Sequence, residues 1–366
     1  MRRLFLQVHL VVGLLTGLYI TAVSISGALL VWRIDLQRLT YPELFTPSRT
    51  GTVVDAETVL ASVHAAYPRH RVSGVEAPTT SRPTYLAYAT QDAAFVTILA
   101  DPATGGVLGE LPDSGAIRAL QDLHFNLRGG RRGRTINGIG AMALLTMCVT
   151  GMVIWWPKRR YWRLVIRDLH GASGILTVVF LAMWAVTGAA FAFPSTLRSL
   201  VASFSPLTVA RPPSSSSQQD REALPWNDLI ARARRAQPDQ HVARVVIPSR
   251  ERDPFLVMFS PSVTRAAGAT LTSIYFDQYS GEVLPESTGA HRTAGDIVMT
   301  WMAPLHVGNF AGTGVKIVWT LAALAPAFLF LTGVVMWRGS KSPPSGSAAP
   351  STPRTAPRSR ASRSSA

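Results

Sequence analysis

Five of the eight histidines in this chain, His9, His124, His170, His291 and His306, stand at or near the ends of long apolar runs. Imidazole ligates metals and exchanges protons near neutral pH. A single histidine beside lipid is ordinarily an interfacial side chain that caps or snorkels. Four of these five, however, recur in register. With His9 set over His170, Gly13 falls on Gly174, Ser26 on Thr187 and Gly27 on Gly188 without a gap. With His124 set over His306, Thr150-Gly151 falls on Thr332-Gly333 and Trp155 on Trp337, again ungapped. Repetition of this kind is the signature of an internal duplication. His291, fifteen residues before His306, has no counterpart in the first repeat and ranks as a substitute for His306.

The elements that must position these side chains are four apolar runs, Leu10–Trp32, Ile136–Trp156, Ile175–Phe193 and Ile317–Trp337. Each has about 19–23 residues, enough to cross a hydrocarbon layer roughly 30 Å thick. A cleaved leader is a weaker account of the first run, which is long, ends at Trp32-Arg33 and has an internal counterpart. Lys158, Arg159, Arg160, Arg163 and Arg167 crowd the short loop after the second run, which the positive-inside rule assigns to the cytoplasm. Both termini are then cytoplasmic, and the long segments, about 33–135 and 194–316, lie outside, so the chain is expected as a multi-pass protein of a bacterial cytoplasmic (inner) membrane. His9 and His170 fall on the cytoplasmic side, His124 and His306 on the outer side. Two imidazoles per leaflet is the layout expected of two haems, each held by a histidine pair, stacked across a bilayer.

Gly13 follows His9 by one helical turn and Gly27 by five, so both return to the histidine's face, and Gly174 and Gly188 repeat this after His170. Positions without side chains suit a flat macrocycle beside its ligand. They equally suit close helix packing, since Gly13 and Gly17 form a GxxxG pair. On the outer side Arg128, Arg131, Arg132 and Arg134 run against the charge bias. Arg131 and Arg132 are candidates for holding haem propionates or an anionic substrate in a bidentate fork, against the alternative of a solvated cluster. His124 lies twelve residues before Ile136, so the glycine-rich approach is expected to fold the "LH" turn back to the membrane surface.

The outer segments read as small α+β domains. "DAETVLASVHAAYP" is a helix with Asp55 as N-cap, and "YLAYAT" and "FVTILADPATGGVLGEL" alternate as strands. In the second segment "PWNDLIARARRAQP" is the helix, and "HVARVVIP", "PFLVMFS" and "LTSIYFDQYSGEVL" are strands. "RPPSSSSQQDRE" reads as a linker, and the Ser-, Pro- and Arg-rich tail as disordered. The expected fold is therefore an α-helical bundle of four transmembrane helices with two extracytoplasmic domains, related by duplication. The expected boundaries are 1–32 (first span), 33–116 (first outer domain), 117–157 (histidine turn and second span), 158–194 (cytoplasmic loop and third span), 195–290 (linker and second outer domain), 291–338 (histidine turn and fourth span) and 339–366 (tail). Net charge is +15, but much of it sits at membrane flanks, so nucleic acid is not an expected partner and membrane lipid is. The one cysteine, Cys148, lies within a span and leaves no thiol chemistry outside. Neither outer segment carries a nucleophile–base pair, a phosphate loop or a Cys/His cluster.

Taken together, the "H…G…TG" spans, the "LH" turns, the "TG…W" exits and the two outer segments resemble the PepSY-associated transmembrane proteins over nearly all of Met1–Arg338. That resemblance implies PepSY modules outside and, as in the inner-membrane reductases of ferric siderophores, haem b in the membrane, two per chain, with His9, His124, His170 and His306 as the metal ligands. It implies an electron donor, either a membrane quinol or a cytoplasmic reductase, and a ferric siderophore or other oxidised acceptor. Two other functions stay open at this stage, a non-redox regulatory protein and a transporter of haem or siderophore.

Overall fold

The computed structural model describes residues 1–48, 52–92, 94–112, 115–156, 166–207, 213–216, 222–264, 269, 271–285 and 293–341. His291, the basic cluster Lys158, Arg159, Arg160 and Arg163, and the tail from residue 342 lie outside the described residues. In chain order the elements are α1 (Arg2–Leu30), α2 (Arg33–Thr40), α3 (Pro42–Phe45), α4 (Ala56–Ala66), β1 (Arg71–Glu76), β2 (Tyr85–Gln91), β3 (Ala94–Ala100), β4 (Val107–Leu111), α5 (Ala116–Asn126), α6 (Gly130–Trp155), α7 (Ile166–Ala192), α8 (Pro194–Phe204), α9 (Trp226–Ala236), β5 (His241–Val246), β6 (Phe255–Ser260), β7 (Thr272–Phe276), α10 (Ala294–Val307) and α11 (Gly312–Lys341).

Among the described residues four helices, α1, α6, α7 and α11, are long and apolar enough to cross a membrane. Each extends five to nine residues before its apolar run, because polar residues at an entry do not interrupt backbone hydrogen bonding. The contacts α1–α6, α6–α7, α7–α11 and α11–α1 close a ring, which puts α1 diagonally across from α7. Small residues bring the helices close. The face of Gly17 is filled by the Phe330 ring, that of Gly140 by Tyr19, and that of Gly138 by Ala192 and Phe193. The outward surface is aliphatic, with Leu15, Leu18, Leu176, Val179, Leu321 and Leu331 all exposed, as a lipid-facing surface requires.

On one side of the ring all seven strands form a single antiparallel sheet in the order β4-β3-β2-β1-β5-β6-β7. The sequence suggests two separate small domains; the structure joins them edge to edge. The join is the β1–β5 pair, Gly74 with Val246, Val75 with Val245 and Glu76 with Arg244. Each half is then spared an exposed edge strand at the junction. One face of the sheet packs on α4 and α9 in a shared core where Val59, Ile98, Ile230, Val245, Val257 and Phe259 are fully buried. Each such side chain contributes about 1.5–3 kcal/mol on burial. Glu57 on α4 takes a two-pronged bond from Arg234 on α9, at 2.8 and 2.7 Å, across the same junction. On the opposite face α2 and α3 cover one end, where Leu44, Phe45 and Leu99 cluster with Ile34 and Leu86. Since α2 follows α1 directly, that face meets the membrane bundle.

Asp101 and Asp277 pin equivalent turns after β3 and β7. Asp101 accepts from the N–H groups of Ser48, Ala103 and Thr104, and Asp277 from those of Ser216, Tyr279 and Ser280 and from the Ser216 hydroxyl. Ser215, within the expected linker, is buried and accepts from the Gln278 N–H, so residues 213–216 are docked to the sheet. Burial alone would raise the Asp277 pKa, but its four hydrogen bonds outweigh that and hold the carboxyl down to about 2. A depressed carboxyl stabilises the fold fully above its unfolded pKa and loses that contribution as pH falls through the folded value. We therefore expect Asp277→Ala to destabilise the protein by about 2–4 kcal/mol at pH 6. The difference from wild type, measured by thermal unfolding in detergent, should shrink between about pH 4 and pH 2.

Candidate functional site

The four aligned histidines meet in two pairs. His9 on α1 and His170 on α7 face each other across the ring with centroids 6.4 Å apart. His124 on α5 and His306 on α10 meet at the sheet side, 6.1 Å apart. The second pair forms because both "LH" turns fold back. Leu127 and Arg128 adopt left-handed conformations after α5, and Gly133 abuts the Asn126 carbonyl so closely that no larger residue fits. Gly308 makes the matching turn after α10, against Trp319. Asn137 donates to the His124 carbonyl at 2.6 Å, and Trp184 to that of His306 at 2.9 Å, which fixes both turns against the spans.

Every one of the four imidazoles has its Nδ1 engaged. His9 Nδ1 lies 2.9 Å from Thr150 Oγ1, His170 Nδ1 2.8 Å from Thr332 Oγ1, and His306 Nδ1 2.7 Å from Thr187 Oγ1. His124 Nδ1 lies 2.9 Å from the Val23 carbonyl and 3.3 Å from Ser26 Oγ. Each hydroxyl already donates its hydrogen within its own helix, to Thr146, Phe328, Met183 and Val23 respectively. With that hydrogen kept in the helix, the hydroxyl offers the imidazole a lone pair, which favours the Nδ1–H tautomer; for His124 the Val23 carbonyl, which can only accept, requires it. The neutral tautomer that results leaves the Nε2 lone pair free. This is the form, held by an outer hydrogen bond, in which histidine binds a metal.

Each imidazole also rests on the glycine next to its hydroxyl partner. A Cβ at Gly27 would stand 2.8 Å from His124 Cε1, at Gly151 3.4 Å from His9 Cε1, at Gly333 3.7 Å from His170 Cε1 and at Gly188 3.8 Å from His306 Cε1. Four Ser/Thr-Gly dipeptides, one per span, therefore seat four histidines. Gly27 and Gly188 lie against the sheet-side imidazoles themselves. Gly13 and Gly174 line a cavity of about 690 Å³ around His9 and His170, within the size range of small-molecule and cofactor sites. Arg2, Gln7, Arg167 and Asp168 give this otherwise apolar cavity its polar lining. Arg131 and Arg132 stand exposed in the first turn of α6, and Arg134 donates to the Asn126 side chain. From sequence Ser26, Thr150, Thr187 and Thr332 read as aligned positions and as small polar side chains able to bond their own backbone; their service to the histidines is visible in the structure, and the alignment was the available signal.

The arrangement suits one kind of metal site. Among the described residues no three His, Cys, Asp or Glu side chains converge; each facing pair presents two imidazoles. With metal–nitrogen bonds of about 2.0–2.1 Å and roughly 1.1 Å from nitrogen to ring centre, imidazoles on opposite sides of one metal have centres about 6.2 Å apart. Both observed separations are compatible with a group held between two imidazoles, and a planar ring that brings its own four donors would fit such a pair.

Fold and site together define a four-span membrane protein whose bundle holds two imidazole pairs beneath a single sheet. Residues 6–339 match the model of the PepSY-associated TM region, and the chain belongs to that family. No curated protein matches it. The glycine distances generate a differential expectation. Gly27→Ala forces His124 to shift and should cost about 1–3 kcal/mol, whereas Gly188→Ala meets His306 at ordinary contact distance and should stay within about 0.5 kcal/mol. Thermal unfolding of both variants in detergent checks this.

Proposed function

We propose that this protein is a haem-b-containing reductase of a bacterial cytoplasmic membrane that passes electrons outward to an extracytoplasmic acceptor, a ferric siderophore or similar chelate, in iron acquisition. The observation that carries the reading is the set of four imidazoles held as Nδ1–H tautomers in two facing pairs. In it His9 and His170 hold one haem, and His124 and His306 the other. When bound, haem supplies a one-electron couple on each side of the bilayer. The protein's own part is to keep the ligands neutral and oriented and to keep water away from them. Thr150, Thr332, Thr187 and Ser26 with the Val23 carbonyl do the first. Phe191 packs edge-on against the His306 ring with centroids 5.2 Å apart.

Several features give the reading its direction. The basic loop after the second span places the His9–His170 pair on the cytoplasmic side by the positive-inside rule. Electrons then enter there from a quinol or a cytoplasmic reductase, since the chain carries no dinucleotide or flavin fingerprint of its own. The sheet, as two PepSY modules joined, lies outside above the other pair. Arg131 and Arg132 stand near that pair as partners for propionates or for an anionic acceptor. The two halves derive from a duplication, which accounts for the matched Asp101 and Asp277 turns and for the four repeated Ser/Thr-Gly seats.

A reduced-minus-oxidised absorption spectrum of the purified protein should give a b-type signal with two haems per chain. His9→Ala and His124→Ala should each remove about one haem, and His9→Ala combined with His170→Ala no more than one. Purification without haem from a host that makes it would sink the reading and favour a regulatory function. Thr332→Val should retain both haems but shift the midpoint potential of one, because it removes the bond that orients and polarises His170.

A further inference from the structure

The cavity around His9 and His170 is polarised along the bundle axis. Its floor, toward the sheet side, is apolar: Gly17 and Ile20 come from α1, Leu144 from α6, Leu181 from α7 and Phe330 from α11. Its charged lining comes from the opposite end, from Arg2 at the start of α1 and from Arg167 and Asp168 at the start of α7. Trp155 and Trp337, near the ends of α6 and α11, line that same end. Indoles so placed mark the boundary between membrane and water. The cavity therefore has an apolar floor inside the bundle and a charged mouth at the interface.

The two arginines flank the mouth from opposite sides, because α1 lies diagonally across the ring from α7. Each stands on a helix that also supplies an imidazole. Arg167 precedes His170 by about 4.5 Å along the helix axis, and Arg2 precedes His9 by about 10.5 Å. Arg2 donates to the Ile154 carbonyl at 3.4 Å, a long bond that leaves other guanidinium hydrogens for a ligand. Asp168 is the one acid among the lining residues, and its aligned position in the first half is the neutral Gln7, so the mouth is net cationic. A cavity of about 690 Å³ built this way suits a flat apolar molecule with anionic groups along one edge. A porphyrin with two carboxylates on one edge is such a molecule. A carboxylate turned to the floor would be desolvated without a partner, whereas at the mouth it meets a guanidinium fork.

We propose that Arg2 and Arg167 form a carboxylate-binding mouth on the His9–His170 cavity, which turns the charged edge of a bound porphyrin toward the starts of α1 and α7 and its apolar edge toward the floor. Arg131 and Arg132 belong to the other end of the bundle and take no part here. That the porphyrin carries iron held by the imidazoles rests on the reductase reading; the direction of its charged edge does not.

Metal-free protoporphyrin IX and its dimethyl ester share one ring and differ in the charge of that edge, and neither needs an imidazole ligand. Each is titrated, by porphyrin fluorescence, into the full-length protein made in cells unable to synthesise haem and held in nonionic detergent. The diacid should bind the wild type about a hundredfold more tightly than the diester, and Arg2→Gln and Arg167→Gln should each remove about tenfold of that preference. Arg3→Gln, exposed beside Arg2 but outside the cavity lining, should leave it unchanged. No binding of the diacid to the wild type, equal affinity for the two porphyrins, or a preference unchanged in both Arg2→Gln and Arg167→Gln would overturn the mouth. Haemin added in the same way tests the haem reading separately, through a bis-imidazole absorption spectrum that His9→Ala diminishes. That spectrum without an arginine-dependent preference defeats the mouth alone, and the preference without that spectrum defeats the reductase reading alone.

Discussion

A hydroxyl that has already given its hydrogen to its own helix can only accept, and the organisation of the bundle follows from that restriction. Thr150, Thr187 and Thr332 each bond back to the carbonyl four residues earlier, which makes them inexpensive inside a membrane. The lone pair left over sets the tautomer of a histidine on another element. Because each bond runs between elements, from α1 to α6, α7 to α11 and α10 to α7, the same contacts that prepare the imidazoles also fix the helices' relative rotation. The adjacent glycines let the rings approach.

The sheet side depends on a second constraint, the β1–β5 junction. A continuous sheet with one shared core lets α4 and α9 pack as a single layer, and Glu57–Arg234 ties them. Beneath it α2 is fastened to the bundle by Lys316, which bonds Asp35 at 2.5 Å, and by Trp32, whose indole donates to Thr320 at 2.8 Å. The sheet is therefore held to the spans through α2 and α11 as well as through chain connectivity.

Much of this was legible in the residues. The four spans, the Asp55 cap, the strand alternation and the pairing of His9 with His170 and His124 with His306 all rest on local pattern or on repetition. What was not legible depends on contacts distant in sequence. Strand β1 was overlooked because Gly74 and the irregular register between Val72 and Gly74 break its alternation. The junction of the two outer segments is a pairing between strands some 170 residues apart, and nothing local in "RVSGVE" or "HVARVV" announces it. A threonine in an apolar run reads as bonded to its own backbone, which is true and hides its second use. The early starts of α6 and α7 were missed because Arg131, Arg132, Arg167 and Asp168 lie outside any apolar run although the helices include them.

The central position of β1 in the sheet has a consequence for biosynthesis. Its partner β5 emerges about 170 residues later, after α6 and α7 have been made, so at roughly 5–20 residues per second β1 waits on the order of 10–30 s with one edge bare. During that interval the nascent chain exposes an apolar half-core and an open strand, the two features that invite mispairing with a neighbouring copy. Newly made protein is thus most vulnerable while its second and third spans are being made, and arrival of β5, ahead of the fourth span, ends that period.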